Sequence, residues 1–259
     1  MPYNPLVALG RSRVCHVCQL GSRLGERGIG AFVVYLGLEH DVTVHVRGAE
    51  PRVGRIVALD PFRRHRILAG RQHVCTVLVE PESVSDECLR SLAAELNGRA
   101  ADAASLGDIL DFISDAARSP DTFVYRFGQS PFDRLFFRYD LEIRPLDSRI
   151  SKVADILERE IDTPALTEGI ARQVELSTSR LRKLFRESTG VKFRDYRMWR
   201  RARTYLNHIN SDLSLTETAL ELGYPDSTHF SHSIRQTYGL PPREMRARMR
   251  QSVFMSMGS

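Results

Sequence analysis

The sequence predicts an α+β protein in two parts, an N-terminal β domain followed by helices and a C-terminal all-α domain. Three observations support this fold class. Short β-branched segments bounded by Gly, Pro or Asp occur in the first third of the 259 residues. Apolar residues then recur at helical spacing, and an internal repeat shifted by 49 residues lies in the C-terminal part. We therefore expect residues 1–145 and 146–259 to form separate domains, joined at the segment RPLDSR.

The N-terminal part contains four segments that predict strands, GAFVVYLGLEH, DVTVHVRG, GRIVALDP and HVCTVLVEP. Two amphipathic helices are predicted to follow them. The apolar stripe of the first helix comprises Val84, Cys88, Leu89, Leu92 and Leu96. The stripe of the second comprises Leu106, Ile109, Leu110, Ile113 and Ala117. We expect the second stripe to pair two copies of the chain in a homodimer, and the alternative is that it covers the β domain.

The C-terminal part contains a 25-residue repeat, LTEGIARQVELSTSRLRKLFRESTG (166–190) and LTETALELGYPDSTHFSHSIRQTYG (215–239). Each copy predicts a helix, a tight turn and a second helix. Ser177 and Asp226 are placed to cap the second helices, and Ser214 with Glu217 forms a capping box. Two helices joined by a short turn, repeated in register, indicate two helix-turn-helix units.

The net charge of +5 is concentrated in the C-terminal part. Residues 1–145 contain 18 basic and 18 acidic side chains, whereas residues 146–259 contain 19 and 14. The stretch from Arg180 to Arg203 alone has ten basic and two acidic residues. A concentrated basic stretch is typical of a protein that binds a polyanion. Together with the repeat, it predicts binding to double-stranded DNA.

The motifs LTEGIA…LSTSRLRKLFRESTG and ALELGYPDSTHFSHSIRQTYGLPPREMR resemble the DNA-binding domain of the AraC/XylS family of bacterial transcription regulators. The resemblance covers residues 149–247. It implies two helix-turn-helix subdomains joined by a long helix, here about Phe193–Leu206, that enter successive major grooves. It also implies a transcription regulator, which we expect to be an activator, with RNA polymerase as a further candidate partner.

Two sets of DNA-contacting side chains follow from this resemblance and from the helix faces. The residues expected to contact bases are Ser179, Arg182, Lys183, Thr228, Ser231 and His232. The residues expected to contact phosphates are Arg186, Arg194, Arg200 and Arg201. Because the second recognition helix is much less basic than the first, we expect it to read DNA more permissively.

The N-terminal part is expected to sense a small molecule, because cupin-like β domains that bind an effector and dimerise are usual in that family. The stretch GSRLGERGIG also resembles the RxxxR element of PilZ domains, which binds cyclic di-GMP, although the second PilZ element is missing. On that basis the residues expected to bind the effector are Arg23, Arg27, Arg11 and Arg13. A sugar or aromatic acid inside the β barrel is the alternative effector.

Other classes of function have less support from the sequence. The chain has no run of 18 apolar residues, and its first residues lack the pattern of a signal peptide. Four cysteines do not form a disulfide framework in a chain of this length, so we expect a cytoplasmic protein without membrane contact. No metal-binding or catalytic motif is evident, and no cofactor is expected beyond the effector. A metal or thiol enzyme tethered to a DNA reader is the alternative to a regulator without enzymatic activity.

Overall fold

A computed structural model describes residues 5–20, 24–98, 107–109, 111–112, 115, 132–160, 165–250 and 252–256. It confirms the α+β fold, with antiparallel sheets in the N-terminal half and helices in the C-terminal half. Within the described residues, no helix is long and apolar enough to cross a membrane.

The N-terminal half is built from two sheets. Their strands are β1 (Leu6–Leu9), β2 (Arg13–Gln19), β3 (Phe32–Gly37), β4 (Val42–Val46), β5 (Arg52–Gly54), β6 (Ile56–Leu59), β7 (His65–Leu68), β8 (His73–Val79) and β9 (Val253–Ser256). The larger sheet has the strand order β6–β3–β8–β2–β1–β9, and the smaller has the order β5–β4–β7. Neighbouring strands are antiparallel except β1 and β9, which run parallel.

The larger sheet is buried on both faces because alternate side chains enter two different cores. On β3, Val33 and Tyr35 point between the sheets, whereas Phe32 and Val34 enter the core on the outer face. This explains why β3 is a continuous apolar segment without polar alternation. Helices α1 (Asp86–Gly98) and α2 (Phe132–Phe137) contribute to the outer core.

The predicted dimerisation stripe is only partly described. Ile109 is buried in the outer core together with residues of the sheet and of α1. Leu106, Leu110 and Ile113 lie outside the described residues. The position of Ile109 agrees with a stripe that covers the β domain, and pairing of two chains stays a prediction.

The C-terminal half contains seven further α-helices among the described residues. They are α3 (Ser148–Arg159), α4 (Leu166–Gln173), α5 (Thr178–Thr189), α6 (Phe193–Thr204), α7 (Leu215–Glu221), α8 (Ser227–Tyr238) and α9 (Pro242–Met249). A 3₁₀ turn, Tyr205–His208, continues α6, so the long helix predicted over 193–206 is α-helical for all but its last two residues. Helices α3 to α6 have a core of their own.

The second helix-turn-helix unit shares its core with the β domain. One apolar cluster contains Val33 and Leu78 from the sheets, Trp199 and Leu206 from the α6 region, and Phe230 from α8. The strand β9, which follows α9, also pairs with β1 of the larger sheet. The two halves of the chain are therefore joined by packing as well as by the connecting segment.

Candidate DNA interface and its junction with the β domain

The first helix-turn-helix unit comprises α4 and α5. Leu181 and Phe185 of α5 are fully buried against α4 and α6, and Phe185 contacts the ring of Phe193 at 5.2 Å between centroids. As predicted, the Ser177 side chain caps α5 by accepting a hydrogen bond from the Arg180 backbone N–H at 3.2 Å. The helix ends at Gly190, whose φ of 73° favours glycine. These contacts leave the opposite face of α5 towards solvent.

The exposed face of α5 borders a basic groove of about 690 Å³. We call it the basic groove, and its basic lining residues are Arg182, Lys183, Arg186, Lys192 and Arg194. Among the described residues Glu187 is the one acidic side chain that lines it, and its carboxylate lies 3.8 Å from Lys183 Nζ. An exposed ion pair of this kind is weak, so the groove keeps a large positive charge. The predicted contact residue Ser179 is also exposed beside the start of α5.

The second helix-turn-helix unit comprises α7 and α8. The predicted capping box is present, because the Ser214 hydroxyl and the Glu217 carboxylate each accept a backbone N–H at the start of α7. Asp226 caps α8 by accepting the N–H groups of Thr228 and His229, both at 2.8 Å. The two units thus have the same construction, as the repeat predicts.

The reading face of α8 is polar but carries little charge. Thr228 and His232 are exposed and Ser231 is half-buried. His232 Nε2 lies 2.7 Å from Gln236 Nε2, which orients both side chains. Arg235 is the one arginine or lysine within α8. The second recognition helix, α8, is thus less basic than α5. Its more permissive reading of DNA and the individual base contacts stay predictions.

The arginines predicted to bind phosphates occupy different environments. Arg186 and Arg194 are exposed. Arg201 is half-buried, with its guanidinium 4.6 Å from the ring centroid of Tyr224 and a hydrogen bond to the Gly223 carbonyl. For Arg200 the prediction is wrong in this structure, because the side chain is 7% exposed and faces the β domain. A guanidinium buried in this way is not exposed for contact with a DNA phosphate.

Arg200 belongs to a buried charged cluster centred on Glu80, which is 1% exposed. The Glu80 carboxylate lies 2.7 Å from Arg203 Nε and 3.8 Å from Arg200 Nη1, and it accepts a hydrogen bond from Trp199 Nε1 at 2.7 Å. The side chains of α6 in this cluster follow the spacing of one helix face, which also includes Tyr196. We call Glu80, Glu82, Tyr196, Trp199, Arg200 and Arg203 the junction cluster. The sequence analysis did not predict this cluster. The feature that could have indicated it is the pair Tyr196 and Trp199, which lie on the same face of α6 as Arg200 and Arg203.

Glu82 is the second carboxylate of the junction cluster. The Tyr196 hydroxyl donates a hydrogen bond to Glu82 Oε1 at 2.6 Å. Burial, and then the neighbouring Glu80 carboxylate, raise the pKa of Glu82 to about 7. The charge of this cluster therefore changes near neutral pH, at the surface where the β domain meets α6.

The glycine-rich stretch packs against the C-terminal helices. Gly25 N–H donates to the Gly239 carbonyl and Gly28 N–H to the Gln236 carbonyl, each at 2.9 Å. At Gly30 a Cβ atom would lie 2.3 Å from Cγ of Trp199. The glycines at these positions therefore permit close contact with the end of α8 and with α6.

The arginines predicted to bind cyclic di-GMP do not form one exposed cradle. Arg23 lies outside the described residues. Arg27 is 4% exposed, and its guanidinium lies 4.9 Å from the ring centroid of Tyr35. Arg11 forms ion pairs with Asp155 and Glu158 of α3, and Arg13 forms a bidentate pair with Asp133 of α2. Three of the four arginines are thus committed to separate places, two of them by acidic partners.

The four cysteines lie in or against the two cores of the β domain. No group of three or more metal-ligating side chains occurs within the described part of the chain. Cys15 and Cys75 are buried, with their Sγ atoms 3.6 Å apart. Burial raises the pKa of the Cys18 thiol to about 11, which keeps it protonated at neutral pH.

Comparison with known proteins agrees with this geometry. A family described as a helix-turn-helix domain matches residues 170–248. The chain is 30% identical over 98 residues to the bifunctional transcriptional activator/DNA repair enzyme Ada of Escherichia coli (strain K12), covering 38% of this chain and 27% of Ada. It is 32% identical over 103 residues to the transcriptional activator RhaS of Salmonella schwarzengrund, covering 39% and 36%. The chain thus aligns with about a quarter of the length of Ada and about a third of the length of RhaS.

The fold of nearly the whole chain is similar to that of ToxT from Vibrio cholerae. A structure of ToxT from strain O395 has a TM-score of 0.56 at 15% identity, covering 92% of this chain and 98% of ToxT. A structure of unsaturated fatty acid-bound ToxT from strain SCE256 has a TM-score of 0.54 at 16% identity, covering 96% and 98%. At these identities the likeness concerns the fold alone. Residues 170–248, which contain the two units except the start of α4, therefore form a helix-turn-helix domain.

Proposed function

We propose that this chain is a sequence-specific DNA-binding regulator of transcription whose DNA binding responds to a small molecule held by its N-terminal half. The basic groove beside the exposed face of α5 carries this proposal. The guanidinium group of arginine can donate two hydrogen bonds either to a phosphate or to the O6 and N7 atoms of guanine in the major groove. The less charged α8 would add a second, more permissive contact one helical turn along the duplex.

Activation of transcription is the direction that the relatives favour. RhaS is named a transcriptional activator and Ada a transcriptional activator and DNA repair enzyme. The alignment with Ada is confined to 98 residues, and it includes the helix-turn-helix region. We therefore propose a regulator without enzymatic activity, and an activator in this setting would also contact RNA polymerase. A homodimer would place two such readers on adjacent half-sites.

A small-molecule effector is supported by the ToxT structures. One contains an unsaturated fatty acid and another contains (E)-4-(8-methylnaphthalen-1-yl)but-3-enoic acid. Cyclic di-GMP has no such support, and the buried position of Arg27 disfavours a surface nucleotide site. We accordingly place the effector in the interior of the N-terminal half or at its junction with α8.

Selection of DNA sites from a random duplex library with the full chain tests the proposal. We expect an enriched site that contains two half-sites about one helical turn apart per monomer, and two copies of that site for a homodimer. Binding to the selected site is then measured by fluorescence anisotropy at several salt concentrations. Recovery of random sequences, or an affinity that does not fall with salt, would contradict a sequence-specific DNA reader.

Two substitutions in the basic groove separate base reading from phosphate binding. Arg182→Ala should cost about 1–3 kcal/mol on the selected site and relax the preference at one base pair. Arg186→Ala should weaken binding to all sequences alike and reduce the salt slope by about 1. Arg71→Ala, an exposed change between β7 and β8 that does not line the basic groove, is the matched control. Indistinguishable effects of the first two changes across a set of single-base variants would contradict the assignment of the two roles.

A further inference from the structure

A small cavity lies where the β domain meets the last helices of the chain. Its volume is about 50 Å³. Leu20, Leu24 and Ile29 line it from the β-domain side, and Tyr238, Met245 and Met249 line it from α8 and α9. We call it the Arg27 cavity, because Arg27 is the buried charged side chain among its lining residues.

Arg27 is held in place by its backbone, and part of its guanidinium has no partner. Its N–H donates to the His65 carbonyl at 2.9 Å, and its carbonyl accepts from His65 N–H at 3.0 Å. The side-chain atoms Nε and Nη2 are buried and have no hydrogen-bond partner among the described residues. Such an arginine is expensive to desolvate, and its contact with the Tyr35 ring offsets only part of that cost. An unpartnered buried cation in an apolar cavity indicates a place for an anion.

Three titratable side chains of the described structure surround Arg27, and none of them neutralises it. His65 Nδ1 donates to the Arg63 carbonyl and Nε2 accepts from the Tyr35 hydroxyl, which fixes a neutral imidazole. Burial, and then the Arg27 charge, lower the pKa of His16 and of His65 to about 4. Burial raises the pKa of the Tyr35 hydroxyl to about 12, so it also stays neutral. The site therefore keeps an unbalanced positive charge at neutral pH.

The unpartnered atoms define the shape of the missing group. Nε–H and one N–H of Nη2 lie on the same edge of the planar guanidinium, and that edge matches the two oxygens of a carboxylate. The apolar walls suit a carbon chain or ring and disfavour a hydrated inorganic anion. We propose that Arg27 anchors an organic monocarboxylate whose apolar body lies between the β domain and helices α8 and α9. This inference rests on the proposed function only where it connects the ligand to DNA binding.

The size of the cavity connects the ligand to the second reader. A space of about 50 Å³ accepts little more than the carboxylate group. An apolar body requires the walls formed by Tyr238, Met245 and Met249 to move away from the β domain. Those walls belong to α8 and α9, and the end of α8 is bonded to the glycine-rich stretch through Gly25 and Gly28. Occupation of the cavity and the position of α8 are thus coupled, and the coupling is reciprocal.

Titration calorimetry of the full chain with octanoate tests the site, with octan-1-ol as a ligand of equal length without charge. We expect octanoate to bind at least tenfold more tightly than the alcohol. Arg27→Met should weaken octanoate binding at least tenfold and should raise the thermal midpoint of the unliganded protein, because it removes an unpaired buried charge. Arg90→Met, on the surface of α1, is the control that removes one charge elsewhere. Equal binding of acid and alcohol, or undiminished octanoate binding by Arg27→Met, would overturn the proposal.

A second variant keeps the test valid if Arg27→Met does not fold. Arg27→Lys preserves the charge and loses the two-donor edge, so octanoate should bind it several-fold more weakly than the wild type.

The coupling to DNA binding is tested separately. The affinity of the wild type for its selected DNA site should shift at least threefold with saturating octanoate, and an unchanged affinity would contradict the coupling. Octanoate binding is measured without DNA. If octanoate does not bind, the ligand site is refuted and the proposed DNA binding is unaffected. If octanoate binds but the chain selects no DNA site, only the proposed function is refuted.

Discussion

Arginines with the same sequence context have different physical roles in this chain. Arg186 and Arg200 both lie in the most basic stretch, and phosphate contacts are predicted for both from the sequence. The structure leaves Arg186 exposed in the basic groove and buries Arg200 between Glu80 and Glu158. Sequence alone does not separate them, because the acidic partner Glu80 is more than a hundred residues distant along the chain.

Arg200→Ala should therefore lower the stability of the protein and leave the phosphate contacts in place. Removing one partner of a buried ion pair costs about 3–5 kcal/mol, since the remaining carboxylates lose their counter-charge. The midpoint of urea unfolding measures this loss. The salt slope of DNA binding should stay at the wild-type value. If Arg200→Ala were as stable as the wild type and its salt slope of DNA binding were reduced by about 1, Arg200 would contact a phosphate after all.

The raised pKa of Glu82 predicts a dependence of stability on pH. Its pKa is about 7 in the folded protein and 4.5 for an ordinary glutamate, so the folded state binds more protons between these values. The free energy of unfolding contributed by this group therefore falls as the pH rises through that window. Glu82→Gln keeps an oxygen that accepts the Tyr196 hydrogen bond and removes the titration.

The test compares wild type and Glu82→Gln by urea unfolding at pH 5, 6, 7 and 8. The variant should gain stability relative to the wild type as the pH rises. The pKa values of His16 and His65, both lowered to about 4, act in the opposite sense, because the folded state resists their protonation as the pH falls. These histidines are common to both proteins and cancel in the difference. A difference that is constant from pH 5 to 8 would contradict the raised pKa.

At the scale of elements, local signals predicted the helix-turn-helix units well. The caps at Ser177, Ser214 and Asp226 depend on residues within three positions of each other, and all three form. The strands β3, β4, β6 and β8 were also indicated by short apolar runs. The strands β1, β2, β5, β7 and β9 were not among the predicted segments, because pairing with neighbouring strands contributes as much to strand formation as the composition of the segment itself.

The glycine-rich stretch shows where local reasoning fails. Two arginines four residues apart among glycines suggest a ligand loop, and that pattern contains no information on what packs against it. In the folded chain the glycines meet Trp199 and Gly239, about two hundred residues away in sequence. The pattern predicts a surface cradle at Arg27, whereas the folded chain buries this side chain.

Gly30→Ala tests the packing role of this stretch. The new Cβ would lie 2.3 Å from Cγ of Trp199, whose side chain is 2% exposed and cannot move freely. Overpacking of this kind costs about 1–3 kcal/mol or more. Gly169→Ala in α4 is the matched control, because nothing lies within 4 Å of its new Cβ. The control should gain about 0.5–1 kcal/mol of stability from its higher helix propensity. Equal effects of the two changes in thermal unfolding would contradict the close packing at Gly30.

At the scale of the whole molecule, the β domain and the second helix-turn-helix unit form one physical body. Their apolar side chains belong to one cluster, Arg11 crosses to Asp155 and Glu158 of α3, and β9 joins the sheet. Arg144, at the start of the predicted connecting segment, is 9% exposed and contacts Asp86 and the Ser188 carbonyl. A composition boundary near residue 145 therefore does not correspond to a free hinge in the described structure.

The single tryptophan of the chain reports on this shared core. Trp199 packs against Gly30, donates to Glu80 and lies 6.1 Å from the Tyr238 ring, so its emission depends on contact between the two halves. If the halves are one cooperative unit, urea should change Trp199 emission and helical circular dichroism with the same midpoint. In Gly30→Ala both midpoints should fall together. A red shift of the emission at lower urea, before helix is lost, would mean that the β domain separates from intact readers, which is the motion that a ligand in the Arg27 cavity would favour.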